Sequence, residues 1–194
     1  MSGLRERKRA ATREAIQRHG LRLIGERGYD ATTCEQIAAA AQVSPATFFR
    51  YFPTKEDVVL GDVYDPVIAT AVRGRPAGES PLTAVRRALA PVLGALPAEE
   101  MESVRRRTAL ILSVPALRAR SREQQEELVR HLSAAFSERG EGKVTDLEVQ
   151  VAAWVCAAAL AVAVERWAVE GDDLATQIDQ ALRAVAALTR RATR

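Results

Sequence analysis

The sequence predicts an all-α protein, built from a three-helix N-terminal domain and a larger C-terminal helical bundle. No segment shows the alternation of apolar and polar residues that is typical of a half-buried strand. Apolar residues instead recur every three or four positions through most of the chain, which is the spacing of one helix face. With 47% apolar and 27% charged residues, 194 positions are enough for a buried core. We place the domains at 1–53 and 54–194.

The first predicted helix runs from Gly3 to Arg27. Ile16, Leu23 and Ile24 fall on one side of it, and charged residues fall on the other. Its first turns, Arg5 to Arg9, are basic, although cations are disfavoured at a helix start by the helix dipole. We keep two interpretations of this segment, a solvated helix end and an arm that lies along a nucleic-acid backbone.

The segment TCEQIAAAAQVSPATFFRYF, Thr33 to Phe52, predicts two short helices joined by a tight turn. Thr33 and Gln36 have the spacing of a capping box at the first helix. Ser44 can cap the second helix, and Pro45 suits its first position because no amide hydrogen is needed there. A helix of about two turns is unstable alone, so the second must pack on its neighbours.

The second of these short helices has one apolar side and one side suited to DNA. Phe48 and Phe52 are four residues apart and are predicted to face the core. The other side exposes residues that can contact phosphates and base edges but form no catalytic set. These are Ser44, Ala46, Thr47, Phe49, Arg50 and Tyr51, followed by Lys55. In the turn, Gln42 occupies a position that favours glycine, because the backbone there adopts positive φ.

The net charge supports a nucleic-acid partner for the first third of the chain. Residues 1–60 hold 10 Lys and Arg against 7 Asp and Glu, whereas the remaining residues hold 18 of each. All of the formal net charge of +3 therefore lies beside the predicted helix-turn-helix. A local basic excess of this kind attracts phosphate.

The C-terminal part is predicted to hold six helices. Thr54 caps the first, which runs to about Arg73 with a bend at Pro66, and the loop 74–81 follows. Apolar spacing marks further helices around 82–93, 101–112, 117–136, Thr145 to Val169 and Asp172 to about Arg190, with a break at Gly140-Glu141-Gly142.

The apolar run 151–164 favours a homodimer. Its 14 residues are shorter than the roughly 20 of a membrane span, and it ends in two charged residues. A helix that is apolar on every side needs cover on every side, which a second copy of the chain can supply. The alternative is a central core helix of a monomer. The predicted dimer interface comprises Val151, Trp154, Val155, Val162, Ile178, Leu182 and Val185.

Several classes of protein are disfavoured by what the sequence lacks. The basic N-terminus has no apolar segment behind it, so we expect a cytoplasmic protein rather than a secreted one. Cys34, Cys156, His19 and His131 do not have the spacing of a disulfide framework or a metal site. No paired carboxylates, nucleophile triad or glycine-rich phosphate loop is recognisable, so we expect neither an enzyme nor a cofactor.

The segment from about Leu4 to Val72 resembles the DNA-binding part of the TetR family of transcriptional regulators. The resemblance is carried by Gly28-Tyr29, Thr32-Thr33, Ile37-Ala38, Val43-Ser44, Thr47 to Phe52 and Lys55-Glu56. The sequence departs from the family at Gln42, where Gly is usual, and at Phe49, where Tyr is commoner. The resemblance implies a homodimeric, usually repressing regulator of a palindromic DNA operator, with a C-terminal domain that binds a small molecule.

By motif position, the resemblance implies a DNA-facing set in this region. The set comprises Thr33, Cys34, Ala46, Thr47, Phe49, Tyr51 and Lys55. Arg50 is the candidate for direct reading of a guanine edge, with a solvated surface arginine as the alternative.

In the C-terminal half, Arg105-Arg106-Arg107 with Ile111-Leu112 is followed by Pro115 to Arg120. This pattern looks like a branch of the family related to the mycofactocin-type regulators, which implies an acyl-CoA-like ligand-binding domain. Arginines beside an apolar bundle can hold a phosphate-bearing head group while a chain enters the core. The predicted ligand residues are Arg105, Arg106, Thr108, Ile111, Leu112, Arg118 and Trp154. The alternative is that these arginines are surface residues paired with Glu99, Glu100, Glu102 or Glu123.

These expectations describe a repressor that a small apolar or acyl-CoA-like effector releases from DNA. The ligand is expected to shift the angle of the helix from Thr54 to Arg73 and so the spacing of the two reading helices. Two alternatives remain open. One is a DNA-binding regulator without an effector, constitutive or redox-sensing through Cys34; the other is a helical protein that binds protein rather than DNA.

Overall fold

The computed structural model describes residues 3–61, 64–140 and 145–192, and every regular element within them is a helix. The helices are α1 (Leu4–Arg27), α2 (Cys34–Ala40), α3 (Pro45–Tyr51), α4 (Lys55–Leu60), α5 (Asp65–Arg73), α6 (Pro81–Gly94), α7 (Ala98–Ser113), α8 (Pro115–Gly140), α9 (Asp146–Glu170) and α10 (Leu174–Ala192). The predicted all-α class is confirmed. The predicted break after α8 begins at Gly140, and its residues 141–142 lie outside the described ranges.

The chain divides into two compact units, Met1–Gly61 and Asp62–Arg194. The division falls eight residues beyond the predicted boundary at 53/54, because α4 belongs to the N-terminal unit. Val58, Val59 and Leu60 are buried, and Val58 is part of the same apolar cluster as the buried residues of α1 and α3. The N-terminal unit therefore has four helices rather than three.

The N-terminal unit has a small core in which one glycine allows two helices to approach closely. Ile16, Ile37, Phe48 and Phe52 are all fully buried in it. At Gly20 of α1, a Cβ atom would lie only 2.6 Å from Cγ1 of Val58. Glycine is therefore required at this contact between α1 and α4.

The long helix predicted from Thr54 to Arg73 is wrong, because the chain forms two helices there. Thr54 caps α4 as predicted, but α4 ends at Leu60, where the amide of Gly61 donates to the oxygen of Asp57 at 2.8 Å. Pro66 lies in the first turn of α5. Proline is well tolerated there because first-turn amides have no partner within the helix, so Pro66 starts a helix instead of bending one. Val63, assigned to the long helix, lies outside the described residues.

The C-terminal unit is organised around α9, which packs with α8 and α10. Thr145 caps α9 through a capping box with Glu148. By length and composition α9 is apolar enough to cross a membrane, a test that core helices also pass. Its buried side includes Cys156, Ala157, Leu160 and Trp167, which belong to the larger of the two apolar clusters formed by the described residues. The opposite side remains exposed.

Helix α7 is packed less tightly than the other long helices. None of its 16 residues is buried, and its apolar side chains, such as Met101 and Val104, are half-buried against the core. Helix α6, in contrast, buries Val85 and Leu89 and accommodates Pro91 within its length.

Candidate nucleic-acid interface

Helix α3 is fixed at its start by a cap and along its length by two buried rings. The hydroxyl of Ser44 accepts a hydrogen bond from the amide of Thr47 at 3.1 Å, and Pro45 occupies the first turn. Phe48 and Phe52 are fully buried, with ring centres 6.3 Å apart. The predicted cap and inward side are confirmed, and the opposite side of this short helix is held facing outward.

The turn between α2 and α3 closes with two reversed backbone hydrogen bonds. The amide of Val43 donates to the oxygen of Ala38 at 3.0 Å, and that of Gln42 donates to Ala39 at 3.1 Å. This pairing is the Schellman motif, which places its central residue in the left-handed region. Gln42 has φ of 56°, as its position predicts, so the turn keeps its geometry at some cost in strain.

The outward side of α3 combines exposed and half-buried side chains. Ala46, Phe49 and Arg50 are exposed, whereas Thr47 and Tyr51 are half-buried. The Phe49 ring meets that of Phe48 edge to face at 5.3 Å and still remains 45% exposed. The guanidinium carbon of Arg50 lies 5.5 Å from the centre of the Tyr51 ring. This side therefore presents the cation of Arg50, the exposed ring of Phe49 and the small side chains of Ala46 and Thr47. A helix with such a side can fit into a DNA major groove.

The start of α2 adds two of the predicted contact residues. Thr33 is exposed and forms the predicted capping box, in which its hydroxyl accepts from the amide of Gln36 at 3.3 Å. Cys34 is half-buried. Burial and the carboxylate of Glu35 raise the pKa of the Cys34 thiol. A thiol that stays protonated is a poor redox sensor, since the thiolate is the reactive form.

Lys55 is engaged within the N-terminal unit. Its ammonium group donates to the backbone oxygens of Tyr29 at 2.7 Å and Thr32 at 2.9 Å, and lies 4.1 Å from the centre of the Tyr29 ring. The Tyr29 hydroxyl in turn donates to Glu56, and burial together with this carboxylate raises the pKa of Tyr29. These contacts show that Lys55 holds the connection between α1 and α2, and the phosphate contact expected from its position stays a prediction.

Arg13 is a functional candidate that the sequence reasoning missed. Its Nη1 donates to the backbone oxygen of Tyr51 at 3.3 Å, and its guanidinium carbon lies 4.6 Å from the centre of the Phe52 ring. It thus binds the C-terminal end of α3, where unpaired carbonyls favour a cation. Nothing in the sequence distinguishes it from its neighbouring arginines. The basic residues Arg5, Arg7, Lys8 and Arg9 at the start of α1 are all exposed.

The residues predicted to bind a ligand are spread over the C-terminal unit. Glu102 pairs with Arg105 at 2.8 Å and with Arg106 at 3.6 Å, which is the alternative kept for these arginines. The hydroxyl of Thr108 donates to the oxygen of Val104 within its own helix, at 3.0 Å. Ile111 and Leu112 are half-buried, and Arg118 and Trp154 are exposed. A cavity of about 390 Å³ is lined instead by Arg73, Arg75, Ala77, Glu138 and Arg139.

The predicted dimer residues separate into two groups. Val151, Trp154 and Val162 are 53%, 48% and 54% exposed, and Val155 and Val185 are half-buried. Ile178 and Leu182 are buried in the core of the same chain. Their assignment to an interface is corrected, because this part of α10 packs on α9 and α6 of the same chain. Leu188, near the end of α10, is in contrast 66% exposed.

Two family models match the chain, one in each part. The model described as bacterial regulatory proteins of the tetR family matches residues 16–61. The model described as the MftR C-terminal domain matches residues 79–190. The first match covers the described helix-turn-helix, and the second covers more than half of the chain.

Relatives with known names are regulators. The chain is 45% identical over 104 residues to the HTH-type transcriptional regulator TcmR of Streptomyces glaucescens, a match that covers 53% of this chain and 46% of TcmR. It therefore spans less than half the length of TcmR. It is 27% identical over 164 residues to MftR of Mycobacterium tuberculosis, named for the regulation of mycofactocin biosynthesis, covering 83% of this chain and 82% of MftR.

Solved structures share the fold. Thermus thermophilus FadR, a TetR-family transcriptional repressor in complex with lauroyl-CoA, matches with a TM-score of 0.53 and 26% identity, over 88% of this chain and 91% of FadR. A TetR transcriptional regulator from Rhodococcus sp. RHA1 matches with a TM-score of 0.53 and 18% identity, over 93% and 96% of the two chains. At 18% identity the second match shows the fold alone.

A capped, outward-facing second helix on a buried core, joined to a separate helical bundle, defines a helix-turn-helix DNA-binding regulator. Both family models are consistent with that class. The chain belongs to the TetR family of bacterial transcriptional regulators, with a C-terminal domain of the MftR type. Its relatives are regulators rather than enzymes.

Proposed function

We propose that this protein is a cytoplasmic repressor that binds a palindromic operator as a homodimer and is released by a small apolar or acyl-CoA-like effector. The observation that carries the DNA-binding role is the outward side of α3. Its exposed Phe49 and Arg50 are backed by the fully buried Phe48 and Phe52. A short helix held this rigidly is suited to insertion into a major groove.

The exposed side of α9 supports the homodimer. Leu147, Val151, Trp154 and Val162 follow one another at helical spacing and are each about half exposed or more. A continuous apolar stripe of this kind is typical of a protein interface. The two-fold symmetry of such a dimer presents two copies of α3, which matches two half-sites about 34 Å apart on DNA.

The effector class is supported by the C-terminal domain. FadR, which shares the fold at 26% identity, was solved with lauroyl-CoA bound. A ligand that prefers one arrangement of the C-terminal bundle changes the affinity for DNA about tenfold for each 1.4 kcal/mol of coupling. Helices α4 and α5 are separate, so this coupling does not run along one rigid helix from Thr54 to Arg73.

The test is to select operator DNA from a random pool and to measure binding by fluorescence anisotropy at several salt concentrations. We expect affinity to fall steeply with salt, because bound phosphates release counterions. Phe49→Ala should lose most specific binding, whereas Arg22→Ala, an exposed arginine paired with Glu26, should not. If the protein shows no binding to DNA at low salt, the proposal is wrong.

Release is tested on the same complex. Adding lauroyl-CoA, coenzyme A or laurate separately shows which part of the ligand is required. We expect lauroyl-CoA to dissociate the complex. If none of the three changes the DNA affinity, the effector part of the proposal is wrong and the DNA-binding part stands.

A further inference from the structure

A cluster of arginines surrounds the loop between α5 and α6 in the C-terminal unit. We call it the loop arginine cluster, and it comprises Arg73, Arg75, Arg87 and Arg139 with the carboxylates of Glu79 and Glu138. Three of the arginines and Glu138 line the cavity of about 390 Å³. The cavity is open to solvent and lined mainly by polar groups, so it suits a charged group rather than an apolar ligand.

Arg139 is the buried member of the cluster, with 8% of its surface exposed. Its Nε donates to the oxygen of Arg75 at 3.2 Å, and one Nη donates to the oxygens of Pro76 at 2.7 Å and Glu79 at 3.0 Å. All three acceptors are neutral backbone carbonyls. Burial lowers the pKa of Arg139. A buried guanidinium is normally matched by a carboxylate or another anion, and these bonds supply none. The nearby carboxylate of Glu79 acts against the effect of burial on the pKa of Arg139, but Glu79 is shared with Arg75 and Arg87.

The two carboxylates of the cluster are already paired with the other arginines. Glu79 accepts from Arg75 at 2.6 Å and from Arg87 at 2.7 Å, and the bond from Arg75 above all holds the pKa of Glu79 at about 2. Glu138 pairs with Arg73 at 2.8 Å. Four cations therefore face two anions within the described part of this cluster.

Helix ends do not cancel this excess. The C-terminal ends of α5 and α8 each bring about half a negative charge to the region, and the N-terminal end of α6 brings about half a positive one. Among the described residues, the sum of these charges remains positive. The open cavity beside Arg73, Arg75 and Arg139 is the place where an anion from solvent would neutralise it.

We infer that this cavity is an anion site that takes the phosphate group of a phosphate-bearing ligand. A phosphate monoester carries nearly two negative charges at neutral pH and three acceptor oxygens, which matches a cluster with an excess of planar guanidinium donors. The site is separate from Arg105, Arg106 and Arg118, where the sequence predicted such a head group. As part of an effector pocket the inference rests on the proposed function, but binding itself is measurable without DNA.

The experiment is isothermal titration calorimetry of the full chain without DNA, with inorganic phosphate, coenzyme A and dephospho-coenzyme A as probes. The last lacks the 3′-phosphate monoester. We expect saturable binding of phosphate at millimolar concentrations, and about tenfold weaker binding in Arg73→Gln and in Arg75→Gln, the loss expected for one charge-assisted hydrogen bond. Tighter binding of coenzyme A than of dephospho-coenzyme A would show that the site takes the 3′-phosphate of coenzyme A. Equal affinity for the two would show that the site takes free phosphate or the phosphate of another ester.

The control is Arg130→Gln, which removes an exposed arginine from α8 that pairs with Glu127 at 3.4 Å. Thermal melts verify that each variant folds. The inference is overturned if phosphate does not bind, if both cavity variants bind it like the wild type, or if the control loses as much.

The outcome separates this inference from the proposed function. If lauroyl-CoA releases DNA equally from the wild type and from Arg73→Gln and Arg75→Gln, the repressor proposal stands and the anion site does not serve it. If phosphate binding depends on Arg73 and Arg75 but no acyl-CoA releases DNA, the anion site stands and the proposed effector is wrong.

Discussion

The ammonium nitrogen of Lys55 lies 2.7 Å from the backbone oxygen of Tyr29 and 4.1 Å from the centre of the same residue's ring. One side chain thereby joins the start of α4 to the connection that leads into α2. A second hydrogen bond, to the oxygen of Thr32, completes the link. Lys55 therefore fixes the backbone just before Thr33, the residue that caps α2.

We therefore expect Lys55→Ala to lower the free energy of unfolding of the N-terminal unit by about 1–2 kcal/mol, because two carbonyls lose their donor. The measurement is urea denaturation followed by circular dichroism. The slope of log affinity for DNA against log salt should be unchanged. A fall in that slope of about one would instead make Lys55 a phosphate contact.

Arg50 is the exposed cation of α3 and should read bases. Arg50→Ala should relax the preference at one or two base pairs by about 1–3 kcal/mol while leaving other positions unaltered. Competition binding against single-base variants of the selected operator measures this. An equal loss on every sequence would show a phosphate contact.

The turn before α3 should become more stable with glycine. Gln42 adopts φ of 56°, and Gln42→Gly removes the strain of a side chain in that region at the cost of a more flexible unfolded chain. We expect a net gain of up to about 1 kcal/mol in a thermal melt. Ala39→Gly, in the adjacent helix, is the matched control and should destabilise by roughly that amount. A loss of stability in Gln42→Gly would contradict this account.

The exposed stripe of α9 should be the dimer contact. Val162→Glu places a charge in the interface and should yield folded monomers in sedimentation experiments, since an unpaired buried charge costs several kcal/mol. Ala134→Glu, a change at an exposed position of α8, should leave the dimer intact. Leu182→Ala should instead lower the free energy of unfolding by about 2–5 kcal/mol, because Leu182 is a core residue.

Acid should weaken the loop between α5 and α6 through Glu79. Its pKa is about 2 in the folded protein and 4.5 for an ordinary Glu carboxyl. The unfolded chain therefore binds more protons between these values, so the stabilisation is full above pH 4.5 and is lost as the pH falls towards 2. Thermal melts over this range should fall less steeply for Glu79→Gln than for the wild type. If the melting temperatures of the variant and the wild type fell in parallel with pH, Glu79 would not contribute to the loss of stability in acid.

The features predicted well from the sequence are those that local residues determine. The caps at Thr33, Ser44 and Thr54 involve partners three residues away, and the left-handed turn at Gln42 follows from the distance between two short helices. The inward side of α3 was recognisable because two phenylalanines four residues apart share one helix face.

Features that depend on distant contacts were missed or misassigned. Arg13 and Arg139 look like ordinary surface arginines in the sequence, and only the folded chain brings them to Tyr51 and to the α5–α6 loop. The apolar stripe of α10 has the same periodicity whether it packs on a partner or on its own bundle. The sequence therefore predicted Ile178 and Leu182 at a dimer interface, whereas they lie in the core of their own chain.

Helix α7 has no buried residue along its 16 positions, whereas α9 beside it has nine. Amide hydrogens in α7 should accordingly exchange with solvent sooner than those of α9, since local opening there exposes little apolar area. Substitutions along α7 should therefore be tolerated more readily during evolution than substitutions in α9. They would alter the surface that α7 adds to the bundle while leaving the buried core of the C-terminal unit unchanged.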